Sequence, residues 1–339
     1  MMAWTDRHCR YFHRLLTKRA RLYTEMMTTG ALLHGDVGRH LDFDSFEQPV
    51  ALQLGGSEAA DLAACARLGE RRGYAEINLN CGCPSERVQR GAFGACLMAE
   101  PALVAECVRA MRDAVAIPVT VKHRIGIDRS ESYAFVRDFV GTVAEGGCEV
   151  FIVHARNAWL RGISPKENRE LPPLRHEVVA ALKKDFPELA FVVNGGVHGG
   201  DEIETQLAVC DGVMVGRAAY HQPWDLDGWD ERFFAAPRVA SSRDEVEDAM
   251  VEYMERLAGR DEPWSHASRH ILGLRNGQAG ARRWRRVWSD PRLKGEPPAR
   301  VSRLARAALG AAVMPAVAPA TPPGRRPPAP ARTRPLAKS

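Results

Sequence analysis

With 339 residues, 45% of them apolar, the chain can bury a sizeable core, either as one large barrel with a small appended domain or as two ordinary domains. No run of about eighteen apolar residues occurs, so no membrane span is expected, and the opening Met1-Met2-Ala3-Trp4-Thr5-Asp6 has no secretory pattern, so a cytoplasmic protein is expected. The net charge of +5 is uneven: from Ser265 onward sixteen Lys and Arg face only Asp290 and Glu296, a balance of +14, which leaves −9 on residues 1–264. A basic C-terminal third on an acidic body suits a polyanionic partner, and a solvated basic tail is the plainer alternative.

Taken in chain order, short β-type runs alternate with longer helical ones. The expected strands are Leu22–Thr24, Pro49–Leu54, Glu76–Asn80, Pro118–Lys122, Val150–His154, Phe191–Asn194 and Gly212–Val215. Between them, Pro101–Val115 has proline in its first turn and Leu103, Cys107, Met111 and Val115 at four-residue intervals, and Ser132–Glu145 places Phe135, Phe139 and Val143 on one face. This repetition predicts an α/β fold with a parallel sheet covered by helices, and eight strands would close a TIM barrel. After about Pro237 the pattern turns helical, with pieces expected at Val246–Leu257, His266–Leu274, Ala281–Ser289 and Ala299–Leu309. The expected organisation is therefore a barrel over 1–237, a small all-α domain over 242–310, and a disordered Pro-, Ala- and Arg-rich tail over 311–339.

In such a barrel the working side chains sit where strands run into βα-loops. Those positions hold Gln53, Asn80 followed by Cys81-Gly82-Cys83-Pro84, Lys122, His154, Asn194-Gly195-Gly196, and Gly216-Arg217. Each alone has a bland explanation: a turn amide, a snorkelling lysine, a core histidine, a glycine turn. Six such residues at equivalent places of successive units point instead to one site. Cys81 and Cys83 lack a second pair at ligand spacing, so no metal centre is expected. The eight cysteines are scattered, which fits reduced thiols rather than a disulfide framework. The glycine turns after the last two strands suit a phosphate, with Arg217 near for charge, and a cofactor with one phosphate and a planar ring, such as FMN, would fit between them and Lys122.

These residues resemble a known family. Thr24-Glu25-Met26, Gln53-Leu54-Gly55-Gly56, Asn78-Leu79-Asn80-Cys81-Gly82-Cys83-Pro84, Lys122-His123-Arg124-Ile125-Gly126, His154-Ala155-Arg156 and Asn194-Gly195-Gly196 are similar to the tRNA-dihydrouridine synthases. Ser164-Pro165-Lys166-Glu167-Asn168-Arg169 and Gly280-Ala281-Arg282-Arg283-Trp284-Arg285 look like the A-type bacterial subfamily. The resemblance implies an NADPH-dependent oxidoreductase in which reduced FMN gives a hydride to C6 of a uridine and an acid protonates C5, at positions 20 and 20a of the tRNA D-loop. It implies Cys83 as the proton donor. Met1, Met2, Gln53, Lys122, His154, Asn194, Gly195, Gly196, Gly216 and Arg217 would be FMN contacts, and Asn80, Lys166, Arg169, Arg282 and Arg285 tRNA contacts. The partner implied is tRNA, with no membrane and no stable protein partner expected. A thiol suits the acid's task because its ordinary pKa keeps the proton available at neutral pH, and a uridine must leave the RNA stack to be reached. Trp284 reads as core rather than as a stacking platform.

The sequence departs from the family in beginning at the Met-Met pair, where relatives have a first strand before it, so the barrel is expected to lack that strand and the true start to lie upstream. Cys81 stands where a non-thiol is expected and reads as a small packing residue. Two other readings stay open: an FMN barrel reductase of a free pyrimidine, similar to dihydroorotate dehydrogenases, which leaves the basic helices unexplained, and a catalytically impaired tRNA-binding protein.

Overall fold

A computed structural model describes residues 1–240 and 242–310, so the segment expected to be a disordered tail lies outside the described residues. Seven strands form one sheet in the order of the sequence: β1 Leu22–Thr28, β2 Val50–Gly55, β3 Glu76–Cys81, β4 Val119–Arg124, β5 Val150–His154, β6 Ala190–Asn194 and β7 Gly212–Met214. Every neighbouring pair is parallel. Helices Ala59–Arg71, Pro101–Ala114, Tyr133–Glu145, His176–Asp185 and Gly200–Leu207 cross between successive strands from β2 to β7, which is the βα repetition of a TIM barrel. All seven expected strands are present. Pro101 opens its helix, and Ser132 caps the next, its hydroxyl accepting the Phe135 N–H at 3.2 Å.

The two faces of the sheet differ in kind. Leu52, Leu54, Ile77, Leu79, Val121, Phe151 and Val153 alternate onto the face that packs against the helices, in one apolar core. Cys81 belongs to that core and is fully buried, a packing residue on the face opposite the site. The inward positions of β2 to β4 carry Gln53, Glu76, Asn78, Asn80, Thr120, Lys122 and Arg124, so this side of the barrel interior is polar, while Ile152 and Val192 face inward from β5 and β6. Among the described residues β1 and β7 are the edges of the sheet. The N-terminal turn touches both: the Ala3 N–H donates to the Glu25 carboxylate on β1, and Met1 Sδ lies 3.6 Å from where a Cβ on Gly216 would stand, just past β7.

Helices Arg243–Ala258, Ala281–Trp288 and Pro298–Gly310 form a second core around Met250, Met254, Trp284, Trp288 and Val301. Phe12 and Leu16, from the helix Arg7–Arg14 and the residues after it, join this core rather than that of the barrel. The helix expected over His266–Leu274 is instead a short helix, Ser265–Ser268, and a 3-10 turn, Ile271–Gly273. Gly273 packs so closely on Pro223 and the His221 carbonyl that an added Cβ would fall within 2.7 and 2.9 Å of them. Among the described residues no helix is long and apolar enough to cross a membrane.

Candidate active site

The C-terminal ends of β3 to β6 gather the chemistry. Cys83 follows β3 in a loop pinned at both of its backbone groups: its N–H donates to Asn80 Oδ1 at 2.9 Å, and its carbonyl accepts from the Ala95 N–H at 2.9 Å. Gly94 makes the second contact possible. Its φ is +78°, and a Cβ there would lie 2.6 Å from the Cys83 carbonyl oxygen and 2.4 Å from Val88. The thiol is half-buried, with Ser85 Oγ at 3.7 Å. Asn80 also accepts the Gly82 N–H at 3.1 Å and donates to Gln53 Oε1 at 2.9 Å, so this buried amide is spent on shaping the loop.

Lys122 ends the polar row of β4. Its Nζ donates to Asn194 Oδ1 on β6 at 3.0 Å, and Asn194 Nδ2 donates to the Met214 carbonyl on β7 at 2.7 Å. Burial, helped by the Arg124 charge, pulls the Lys122 ammonium down to about 7. The His154 ring at the end of β5 lies against Gly195, where a Cβ would stand 2.5 Å from it, and burial with the nearby Arg124 and Lys122 charges holds this imidazole well below its ordinary pKa. His154 is therefore neutral at neutral pH. Gly195 and Gly196 have φ of +103° and +73°, and a Cβ on Gly196 would fall 2.2 Å from Leu174. No acceptor among the described residues takes their N–H protons. A backbone cradle with free donors, open only to glycine and ringed by cations, fits an anionic phosphate.

Arg217, after β7, donates to Glu170 at 2.7 Å and to the Arg169 carbonyl at 3.2 Å, which ties the phosphate-side turn to the loop after β5. Met1 is beside Gly216, while Met2 is 64% exposed. Lys166 and Arg169 are exposed on the 3-10 turn of the β5 loop. Arg282 is exposed on the helix Ala281–Trp288. Arg285 donates to Asn276 at 2.8 Å, and Asn276 donates to the His221 carbonyl at 2.6 Å, linking the basic helix to the chain after β7. Trp284 is fully buried, its Nε1–H on Glu247, and so is core.

Sequence reasoning passed over two residues that organise the mouth. Arg124 is 3% exposed and donates to the Gly82 carbonyl at 3.2 Å, the Asn157 carbonyl at 3.2 Å and the Asn168 carbonyl at 2.8 Å, so one guanidinium joins the β3 and β5 loops. Asn168, fully buried, brackets Trp159 by accepting its N–H and donating to its carbonyl, both at 2.8 Å, and leaves that indole 43% exposed at the rim. Both lie inside motifs similar to the family's, Lys122–Gly126 and Ser164–Arg169, but nothing local marks a side chain that spends itself on distant carbonyls.

A parallel βα barrel with a half-buried thiol, an amine and a neutral imidazole at its strand ends, under a mouth rich in arginine, defines a barrel enzyme that handles anionic ligands. The chain belongs to the dihydrouridine synthase family, whose profile, described as "Dihydrouridine synthase (Dus)", matches residues 1–310. A protein of Pseudomonas putida named tRNA-dihydrouridine(20/20a) synthase is 56% identical over 298 residues, covering 88% of this chain and 89% of that protein. Proteins of the same name from Pseudomonas aeruginosa and Vibrio cholerae are 56% identical over 301 residues and 55% identical over 291, covering 89% and 86% of this chain and 91% and 89% of their own lengths.

Proposed function

We propose that this protein, acting in the cytoplasm, reduces uridine to 5,6-dihydrouridine in the D-loop of tRNA, at positions 20 and 20a, with Cys83 as the acid. Family membership supports the reaction, and the shared name of the relatives supports the positions. The observation that carries the residue assignment is the half-buried Cys83 thiol on a loop pinned at both of its backbone groups, with Arg124 on the adjacent Gly82 carbonyl.

FMN, reduced by NADPH, would supply the hydride taken up at C6. The Gly195-Gly196 amides, with Gly216 and Arg217, would hold its phosphate, and Lys122, Asn194, Gln53, His154, Met1 and Met2 would line its ring. The Cys83 Sγ–H gives its proton to C5 and is reprotonated from solvent. Lys122 sits where its charge would offset negative charge on the ring, and a bound anion would raise its lowered pKa again. Arg169 and Lys166 at the rim, with Arg282 and Arg285 on the basic helix, would contact tRNA phosphates. Asn80 would serve this reaction by holding Gly82 and Cys83 in place, since its amide is already engaged. The exposed Trp159 offers a stacking face for an extruded or flanking base.

Mapping of dihydrouridine in tRNA from cells lacking the protein tests this. The wild type should restore the modification at 20 and 20a, and Cys83→Ala should lower its rate of formation by roughly 10²- to 10⁴-fold, the range for loss of a general acid. Normal restoration by Cys83→Ala would overturn the assignment, and restoration at other positions would overturn the target.

A further inference from the structure

The inward face of the barrel buries polar side chains that reach neither the mouth nor the apolar core. Glu76, Asn78 and Thr120 are 1%, 0% and 1% exposed. They are connected to the site by an unbroken series of hydrogen bonds. The Cys83 and Gly82 N–H groups donate to Asn80 Oδ1 at 2.9 and 3.1 Å. Asn80 Nδ2 donates to Gln53 Oε1 at 2.9 Å, and Gln53 Nε2 donates to Asn78 Oδ1 at 2.8 Å. Asn78 Nδ2 donates to Thr120 Oγ1 at 2.8 Å, and the Thr120 hydroxyl donates to Glu76 Oε1 at 2.7 Å. Glu76 is itself fixed by the Tyr23 hydroxyl at 2.9 Å and by an ion pair with Arg21.

All of these bonds point the same way. At one end the backbone N–H groups can only donate, and at the other the carboxylate can only accept. The three carboxamides between them are thereby held in one orientation. Turning Asn80, Gln53 or Asn78 over would set NH₂ against N–H on one side and oxygen against oxygen on the other. In a dry interior such unmade bonds are costly, and a series aligned head to tail is mutually strengthening. Among the described residues the Thr120 hydroxyl is the relay between amides and carboxylate, because it accepts from Asn78 and donates to Glu76 at 2.7 Å, with the Ile77 carbonyl a much longer alternative acceptor at 3.5 Å.

We propose that Thr120, anchored by Glu76, is a positioning residue for Cys83. Glu76 and Asn80 are four residues apart on β3, roughly 13 Å, so the thiol's loop is held from the far end of the barrel. This rests on the reading of Cys83 as the acid. Thr120→Val keeps shape and removes the hydroxyl, Thr120→Ser restores it, and Asn78→Leu breaks the series one step nearer the site.

Three measurements on the full chain decide the matter: single-turnover dihydrouridine formation, KM for tRNA, and hydrogen exchange of the peptide carrying the Gly82 and Cys83 amides. In Thr120→Val and Asn78→Leu, turnover should fall roughly 10- to 100-fold, as for a misplaced reacting group, with KM unchanged and amide protection lost. Thr120→Ser should return to within about twofold of wild type on every readout. Wild-type turnover and protection in Thr120→Val would overturn the proposal, as would equal losses in the Val and Ser variants. Should the wild type itself form no dihydrouridine, the functional reading falls, and amide exchange still decides the relay: protection lost with Val and regained with Ser supports it, and equal protection overturns it.

Discussion

Two buried carboxylates organise the two regions of this molecule, and they do so differently. Glu76 in the barrel takes bonds from Arg21, Tyr23 and Thr120, and from Thr120 the series continues through amides to the loop of Cys83. Glu247 in the helical region takes bonds from Trp284 Nε1 at 3.1 Å, Trp288 Nε1 at 3.2 Å, Ser302 Oγ at 2.9 Å and Arg275 Nη2 at 2.6 Å, with Arg306 Nε at 3.5 Å, and from Arg275 the bonds go on to Asp244 and Gln278 within the same region. Its donors come from two helices and the Arg275 loop, so it is a knot that holds the helical region together. The barrel uses buried polarity to orient one loop, and the helical region uses it to fix a fold.

Removing the knot should have the largest effect on stability. Glu247→Ala leaves two indole N–H groups and the Ser302 hydroxyl without their acceptor, and among the described residues leaves Arg275 the largely exposed Asp244 as its remaining carboxylate partner. Loss of the buried partner should cost about 3 kcal/mol, the lower end for a broken buried pair. Urea unfolding followed by tryptophan fluorescence should show that loss, while Cys83 in the still-folded protein should alkylate at the wild-type rate. A destabilisation under about 1 kcal/mol would mean that the knot is dispensable, and altered Cys83 alkylation would mean that the two regions are not separate in this respect.

The barrel's counterpart is a pH effect. The folded pKa of Lys122 is lowered to about 7 from an ordinary value of 10.5, so between those values the unfolded chain binds more protons than the folded one. Stability contributed at this position therefore rises with pH through that window. Measured without flavin between pH 6 and 10, the wild type should gain on Lys122→Met as pH rises above about 7. A pH-independent difference would refute the burial of that charge.

The smallest effect belongs to the exposed cations. Arg282→Ala should weaken tRNA binding by less than about 1 kcal/mol. It should also make the log–log salt dependence shallower by about 0.7–0.9, the share of a single phosphate contact. Binding titrations at several salt concentrations check both. An unchanged slope would remove Arg282 from the interface and leave the basic helix to its link through Arg285 and Asn276.

Much of the fold was legible because it rests on local periodicity. In Glu76-Ile-Asn-Leu-Asn-Cys81 the alternation of polar and apolar residues already assigns Ile77, Leu79 and Cys81 to the helix-facing core and the others to the interior. The positions of Gln53, Cys83, Lys122, His154 and Asn194 follow from where such runs stop. The helix Arg7–Arg14 lies outside the expected elements, and its run of basic residues around Tyr11 and Phe12 does not show that all of it but Arg7 is buried or that Phe12 belongs to a core built some 240 residues later, because such a short segment does not name its partner. Arg124 and Asn168 were equally silent, since their partners are backbone carbonyls, which every residue has.

The sequence by itself determined the parallel α/β barrel, the order of reactive groups around its mouth and the excess of positive charge in the last third. Only the tertiary structure decided that Asn80 is spent on Gly82 and Cys83, that Lys122 meets Asn194 across β5, and that a single direction of hydrogen bonding runs from Cys83 to Glu76. Spacing along a strand sets which face a side chain occupies. The partner it meets there is set by the register of strands far apart in the chain and by the need of each buried polar group to be paired.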